Sequence, residues 1–260
     1  AADGFAVHAE RTAKALAVPL RMARVDARPE PGQSPEDAAR QWRYQALAQL
    51  ASEAPAASVV LLGHHADDQA ETVLLALSRG AGLPGLSAMA ERFDRHGAAF
   101  GRPLLGLPSA LLREWLQAAG HAFVDDPSNT DPRFTRNRIR ALLTPAWEAC
   151  FPGFRPMLSR SAAHAAQAQR LLDELAVVDL AHIGTPPAIA ALQSLSRDRQ
   201  ANALRHWLRG QAQVAASTAQ MAELLDQIVA CTTRGHRIHL KVASGTVTRE
   251  GERLQYRASI

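Results

Sequence analysis

"SVVLLGHHADDQAETVLLALSRGAGLPG" (residues 58–85) decides the fold reading. Its first six residues form a short apolar run rich in β-branched side chains, apolar on both faces as a buried parallel strand is. The spacing then predicts a helix from about Asp67 to Arg79, with Val73, Leu74 and Leu77 on its packing side and "GAGLPG" as its stop. His64, His65, Asp67, Asp68 and Glu71 crowd the junction between the two. Ionisable groups are costly to desolvate unless something pairs with them. In an open parallel sheet, ligands bind off the carboxyl ends of the strands, which is where this cluster falls. His64, Asp68 and Glu71 are spaced i, i+4 and i+7, and Asp68 and Glu71 share one face of the first helical turns. Carboxylates there could hold Mg²⁺ jointly with nucleotide phosphates, and a histidine could stack on a base or donate to a phosphate. The alternative is a capped helix start, where the helix dipole favours Asp. That accounts for Asp67 or Asp68, but not for His64, His65 and Glu71 together.

Outward from this stretch, residues 3–17 carry Phe5, Ala9, Ala13 and Leu16 at helical spacing, and "VPLRMARVD" (18–26) reads as a strand. "GQSPEDAARQWRYQALAQLA" (32–51) is a helix, with Ser34 as N-cap, Pro35 at the first helical position and Asp37 completing a capping box. The order helix–strand–helix–strand–helix points to an open parallel α/β sheet. Residues 85–108 read as irregular, with a short strand before "GRPLLGLP", and a helix follows over 109–119 up to Gly120. After "VDDPSNTDP" (124–132) the pattern is helical to about Leu180, broken near "PGFRP", and after "TPP" (185–187) helices are expected over 194–210 and 217–230. The tail from His236 alternates like short antiparallel strands. The expected fold is α/β: a nucleotide-binding domain over 1–150 with an incomplete parallel sheet, then a mainly helical domain over 151–260 that ends in a short antiparallel β segment.

Composition sets the class. The 260 residues are 47% hydrophobic and 21% charged, as in a soluble globular protein, with a net charge of +4. Of 29 basic residues only Lys14 and Lys241 are lysines. The rest are arginines, which clamp phosphate and stack on bases. An Ala- and Arg-rich genome composition accounts for the overall bias, so local arginine clusters matter more than the total. Cys150 and Cys231 stand far apart without a CxxC, so neither a disulfide framework nor a zinc or iron–sulfur site is indicated. No apolar stretch approaches the roughly 20 residues of a membrane span, and no secretory signal opens the chain. A cytoplasmic location is expected. The chain starts without Met in what reads as the middle of a domain, so residues are expected upstream.

Two further constellations carry charge. In "VDDPSNTDPRFTRNRIR" (124–140), Arg133, Arg136 and Arg140 fall at helix-like spacing with Asn137 and Arg138 between, while Ile139, Leu142 and Leu143 supply the buried side. Such a row suits phosphate or an RNA backbone. The alternative is a solvated helix whose arginines pair with Asp125 and Asp126. In "ARQWRYQAL" (39–47), Arg40, Arg43 and Tyr44 share a helix flank, or form a plain solvated face with Tyr44 tucked in.

Together, "HHADDQAETVLLALSRGAGLPGLSAM", "RPLL" and "VDDPSNTDPRFTRNRIRALLTP" stand in the order and spacing of the tRNA(Ile)-lysidine synthase family, which the chain resembles from about residue 2 onward, more weakly after 155. "EDAARQWRYQAL" is similar to that family's E-x-x-A-R-x-x-R-Y helix. The resemblance implies an ATP- and Mg²⁺-dependent ligase of the cytoplasm. It would adenylate carbon 2 of the wobble cytidine of a tRNA(Ile) with a CAU anticodon. The lysine amino group would then displace AMP and leave lysidine. By the same resemblance, His64, Asp68 and Glu71 serve ATP, Mg²⁺ or L-lysine, with Asp68 as metal ligand. Arg136 steadies phosphates or RNA, Arg40 and Arg43 lie on the ATP side, and Arg133, Arg138 and Arg140 face RNA. The helical region after 150 grips tRNA, and a homodimer is expected.

The family's SGGxDS loop, which cradles pyrophosphate, occurs nowhere in the sequence, and "SGTV" (244–247) lies in the expected tail sheet. The chain by itself is therefore expected to be inactive. Two alternatives go with that departure. One is a non-catalytic RNA-binding remnant. The other is a tRNA 2-thiolation enzyme of the same superfamily, which would be expected to carry cluster-binding cysteines.

Overall fold

The computed structural model describes residues 2–29, 35–53, 56–212, 214–233, 235–243 and 245–258. The chain divides into two compact units, Ala1–Ala166 and Gln167–Ile260.

In the first unit, helix α1 covers Ala2–Ala15 and α2 covers Pro35–Ser52. The expected helix start at Pro35 is there, with Glu36 and Asp37 in the first turn where the dipole favours them. Ser34, expected as the cap, lies outside the described residues. Residues 18–29 form no strand, contrary to the reading of 18–26. Val18, Leu20, Met22 and Val25 are exposed, because no strand among the described residues runs beside this segment to satisfy its backbone. The run 58–63 is also cut back: strand β1 is Val60–Leu61, and Leu61 is 63% exposed rather than buried. Strands β2 (Arg92–Arg95) and β3 (Ala98–Gly101) make a hairpin where the sequence read as largely irregular. His96 and Gly97 both take positive φ, 51° and 77°, as a tight two-residue hairpin turn requires.

The sheet order is β1-β3-β2, with β1 parallel to β3 and β2 antiparallel to it. Tyr44 and Ala48 of α2 pack on Phe100 of β3, with Leu47, Val60, Leu62 and Phe93 around them. Helix α3 (Ala66–Ser78) begins just past β1 and buries Ala66, Ala70, Val73 and Leu74. Its buried Gln69 exchanges two hydrogen bonds with the backbone of Met89, donating to the carbonyl and accepting from the N–H at 3.0 Å each. This pair fixes the loop that carries the short helix α4 (Leu83–Leu86). Helix α5 (Ser109–Ala118) ends before Gly120, whose φ is +68°.

Helix α6 (Thr135–Arg138) opens into a wider π turn over Ile139–Leu143 and continues as α7 (Thr144–Cys150). Pro145 lacks the N–H that would close on the Ala141 carbonyl, and the wider turn lies directly upstream of it. Helix α8 (Phe154–Ile183) follows, and the division between the units falls inside it, beyond the domain limit expected near 150.

The second unit adds α9 (Ile189–Gln193), α10 (Arg197–Ala212) and α11 (Thr218–Ala230). Its antiparallel sheet, β4 (His239–Val242), β5 (Gly245–Glu250) and β6 (Arg253–Ala258), was legible as alternation. Leu192, Leu204, Leu208, Leu224, Ile228, Val242, Val247 and Leu254 form its core. No described helix is long and apolar enough to cross a membrane.

Candidate functional site

The acidic end of α3 is met by arginines from the helix that follows residue 134. Glu71 is 2% exposed, and Arg140 covers it: Nε donates to Oε1, and Nη2 donates to Oε2 at 3.0 Å. The same Nη2 donates to Asp68 Oδ1 at 3.1 Å. Arg136 adds Nη1 at 3.5 Å from Glu71 Oε2 and Nη2 at 3.3 Å from Thr72 Oγ1, with Glu36 of α2 at 3.7 Å from its Nε. Burial pushes the Glu71 carboxyl above its ordinary value, against the hydrogen bonds and charge of Arg140 that pull it down. On the guanidinium of Arg140, burial works against the charged form, but the hydrogen bond and charge of Glu71 prevail and raise its pKa. The asymmetry follows exposure: Arg140 keeps 36% of its side chain in solvent and Glu71 almost none, so the desolvation cost falls on the carboxylate.

Asp68 holds two positions at once. Its Oδ2 accepts the backbone N–H of His65 at 3.0 Å, the reciprocal half of a capping arrangement, while Oδ1 takes Arg140. Asp67 faces the other way. Burial opposes its charged form, but hydrogen bonds from the Ser109 backbone and Arg155 hold it below the usual carboxylate range. Arg155 also pairs with Glu148. His65 lies 3.6 Å from Asp67 and 3.5 Å from Asp68.

His64 is half-buried, and its Nδ1 accepts a hydrogen bond from Arg102 Nε at 3.3 Å. Desolvation and then the positive charge of Arg102 hold its pKa below the ordinary value, with Asp68 opposing and Arg40 and Arg136 assisting. Arg102 was not singled out from the sequence; its only signal was the "RPLL" that it opens.

Two cavities meet at this acid–arginine wall. One, of about 430 Å³, is bordered by Glu36, Arg40, Arg43, Gly63, His64, Asp68, Arg136 and Arg140. The other, of about 580 Å³, is bordered by Asp67, Asp68, Glu71, Leu112, Arg113, Leu116, Asn129 and Arg140. Asp68 and Arg140 border both. The first is rich in guanidinium groups and of a size usual for small-ligand sites. Arg40 and Arg43 line it, and Tyr44, itself buried, borders it as well, its ring 5.7 Å from the Arg40 guanidinium.

The arginine row does not stay together. Arg133 turns away to Asp131, at 2.7 Å, and Arg138 donates to the Pro132 carbonyl at 2.8 Å and to Thr135 Oγ1. The π turn and the helix start at Thr135 break the regular spacing that would have aligned Arg133 with Arg136 and Arg140. Asp125 pairs with Arg113 rather than with the row. Among the described residues no group of three or more His, Cys, Asp or Glu side chains is placed to hold a metal ion.

Residues 1–147 match the PP-loop domain family, and residues 188–255 match the TilS substrate binding domain family. The chain belongs to the tRNA(Ile)-lysidine synthase family. It is 60% identical over 256 residues to the tRNA(Ile)-lysidine synthase of Polaromonas naphthalenivorans, covering 98% of this chain and 77% of that protein. The enzyme of the same name from Bordetella pertussis is 41% identical over 250 residues, covering 93% of this chain and 78% of its own. That of Burkholderia pseudomallei is 43% identical over 233 residues, covering 87% of this chain and 47% of its own length. The family is one of ATP-dependent ligases that modify tRNA, which favours this reading over the 2-thiolation and non-catalytic alternatives.

Proposed function

We propose that the chain carries the ATP- and lysine-handling site of a tRNA(Ile)-lysidine synthase, with the two cavities as its two sides. The observation that carries this is the convergence of Arg40, Arg43, Arg136 and Arg140 on one cavity whose floor is His64 and Asp68. Guanidinium groups bind phosphate oxygens with fork geometry, so this side takes the triphosphate of ATP. Mg²⁺ bound with nucleotide usually needs only one or two protein carboxylates beside phosphate oxygens and water. Asp68 alone meets that need: Oδ1 accepts from Arg140, and Oδ2 accepts from the His65 N–H with the His65 ring at 3.5 Å, while a carboxylate offers about four lone-pair positions. The absence of a three-residue cluster among the described residues fits an ion carried in by the nucleotide. When bound, Mg²⁺ neutralises phosphate charge.

The substrate tRNA places carbon 2 of its wobble cytidine at the wall. The O2 oxygen of the cytosine attacks the α-phosphate, and pyrophosphate leaves. Arg136 and Arg140 stabilise charge on the phosphates as it shifts. The second side takes L-lysine, its methylene stem along Leu112 and Leu116 and its charged ends toward Arg113 and the α3 carboxylates. The amine then attacks carbon 2, the C2–O2 bond breaks as AMP leaves with the oxygen and its electron pair, and the proton on the newly bonded nitrogen passes to a carboxylate. Glu71, whose proton affinity is already raised by burial, is suited to receive it.

The test is product analysis. The full-length gene product carrying this sequence, given ATP, radiolabelled lysine and a tRNA(Ile) with a CAU anticodon, should yield AMP, pyrophosphate and lysine-labelled tRNA. Omitting lysine should stop at an adenylated tRNA. Labelled tRNA without pyrophosphate release, or no label at all, would overturn the reading.

A further inference from the structure

Arg102 is 5% exposed, yet no carboxylate among the described residues lies within ion-pair distance of it. A buried cation without a counter-charge is costly, so what it contacts is informative. Its donors go to three neutral acceptors: Nη1 to the Ala90 carbonyl at 2.6 Å, Nη2 to Tyr44 Oη at 3.1 Å, and Nε to His64 Nδ1 at 3.3 Å. Its plane lies over the Phe93 ring, 4.2 Å from the centroid. The first, second and stacking contacts orient the guanidinium within the hydrophobic cluster of α2 and the hairpin. Tyr44 and His64 both border the ligand-facing cavity, and of the two only His64 is an imidazole whose ring proton the contact can place.

That third contact fixes the chemistry of His64. Arginine stays protonated at any physiological pH, so its Nε–H can only donate. The Nδ1 atom must then offer its lone pair, and the single ring proton sits on Nε2. An imidazolium would set an N–H against an N–H. We propose that Arg102 is a positioning residue for nucleotide binding and adenylation, holding the His64 ring in place as the neutral Nε2–H tautomer so that the cavity receives a fixed hydrogen-bond donor. This rests on the nucleotide reading of that cavity. A neutral donor suits a site already crowded with cations: Arg40 and Arg43 of α2, Arg136 of α6 and Arg140 of the π turn border it, against Glu36 and Asp68. The low proton affinity of His64 agrees with this arrangement, Arg102 being its largest electrostatic cause after desolvation.

The test uses the full-length gene product with ¹⁵N-labelled histidine. NMR of wild type should show His64 with one bare and one protonated nitrogen, the bare one Nδ1, from about pH 7.5 down to the ordinary histidine midpoint near 6.5. ATP affinity should be flat over the same range. Arg102→Met should free the His64 ring to take either tautomer, shift its midpoint upward while burial still holds it below the ordinary value, make ATP affinity more pH-dependent, and lower kcat/KM at least about tenfold at pH 7.5, as loss of one oriented donor does. Tyr44→Phe removes a different Arg102 partner and should leave the His64 signals and the pH profile unchanged, whatever it does to melting. A wild-type His64 that carries its proton on Nδ1, or titrates near 6.5, overturns the inference even if Arg102→Met fails to fold. Such a result with ATP still bound leaves the nucleotide reading standing, whereas wild-type protein that does not bind ATP overturns both.

Discussion

Arg140→Met isolates the contact that the site depends on most. The substitution keeps much of the side-chain volume and removes the charge that covers Glu71. Breaking a buried ion pair by deleting one partner typically costs about 3–5 kcal/mol. Arg140 is 36% exposed, so solvent already screens part of the interaction. Arg136 also remains, 3.5 Å from the same carboxylate. A loss of about 2–3 kcal/mol is therefore expected, or a fall in Tm of roughly 5–10 °C for a unit of this size. The sign with pH is fixed by Glu71. Its folded-state proton affinity is above the unfolded value, so the folded chain holds a proton that the unfolded chain has released. Stability from this group is thus present below the ordinary glutamate value, near about 4.3, and is lost as pH rises through the raised folded value. Without Arg140 the folded value rises further and the loss deepens. The gap in Tm between wild type and variant should be wider at about pH 8 than at about pH 5, read by circular dichroism melts. Glu71→Gln combined with Arg140→Met removes the stranded charge and should recover more than half of the loss. If Arg140→Met melts like wild type at both pH values, or the double variant is no better than the single, the pair does not carry the stability assigned to it.

Asp68→Asn keeps an acceptor for the His65 N–H but loses the charge offered to Mg²⁺ and to Arg140. Melting should shift by only a degree or two, while lysidine formation slows by about ten- to a hundredfold, the worth of a charge-assisted contact. A normal rate with a much lower Tm would reduce Asp68 to a helix cap. Arg43→Ala should leave Tm within about a degree, as exposed substitutions do, and weaken ATP binding in a titration by about tenfold; unchanged affinity would move the triphosphate elsewhere. Arg133→Ala breaks only an exposed pair with Asp131, so Tm should hold within about a degree, as for surface changes generally. If Arg133 meets the RNA backbone, tRNA affinity should fall and its dependence on salt should become shallower. An unaltered salt slope would confine Arg133 to its local turn.

What could be read from the sequence follows the range of the forces involved. Helices α2, α3, α5 and α11 were legible because their apolar spacing and end signals are local. The tail sheet was legible because alternation survives where one face is buried, as at Val242, Val247 and Leu254. Of the β2–β3 hairpin only β3 was legible, as the short strand before "GRPLLGLP"; β2 and the pairing were not. Arg92–Arg95 and Ala98–Gly101 carry arginine, aspartate and alanine, poor strand residues, and their pairing rests on Phe93 and Phe100 stacking beneath Tyr44. The His96–Gly97 turn was the one local clue. Strand 18–26 was overread for the opposite reason: it has strand composition, but composition does not supply a partner.

The same distinction explains the site. Motif spacing put His64, Asp68 and Glu71 together because they lie on one local stretch. It could not show that Arg136 and Arg140, some 65 to 72 positions further on, close over them, nor that Arg155 closes over Asp67 from 88 positions away. It also posed a false choice between a capped helix and a ligand site. Asp68 caps α3 through Oδ2 and meets Arg140 through Oδ1. A carboxylate has about four lone-pair positions, so neither use exhausts it. The N-terminus of α3 and the guanidinium of Arg140 both present positive charge to Asp68, which borders the cavity where Mg²⁺–ATP could sit. Capping thus prepares the carboxylate for a ligand, and the helix start and the site are one arrangement.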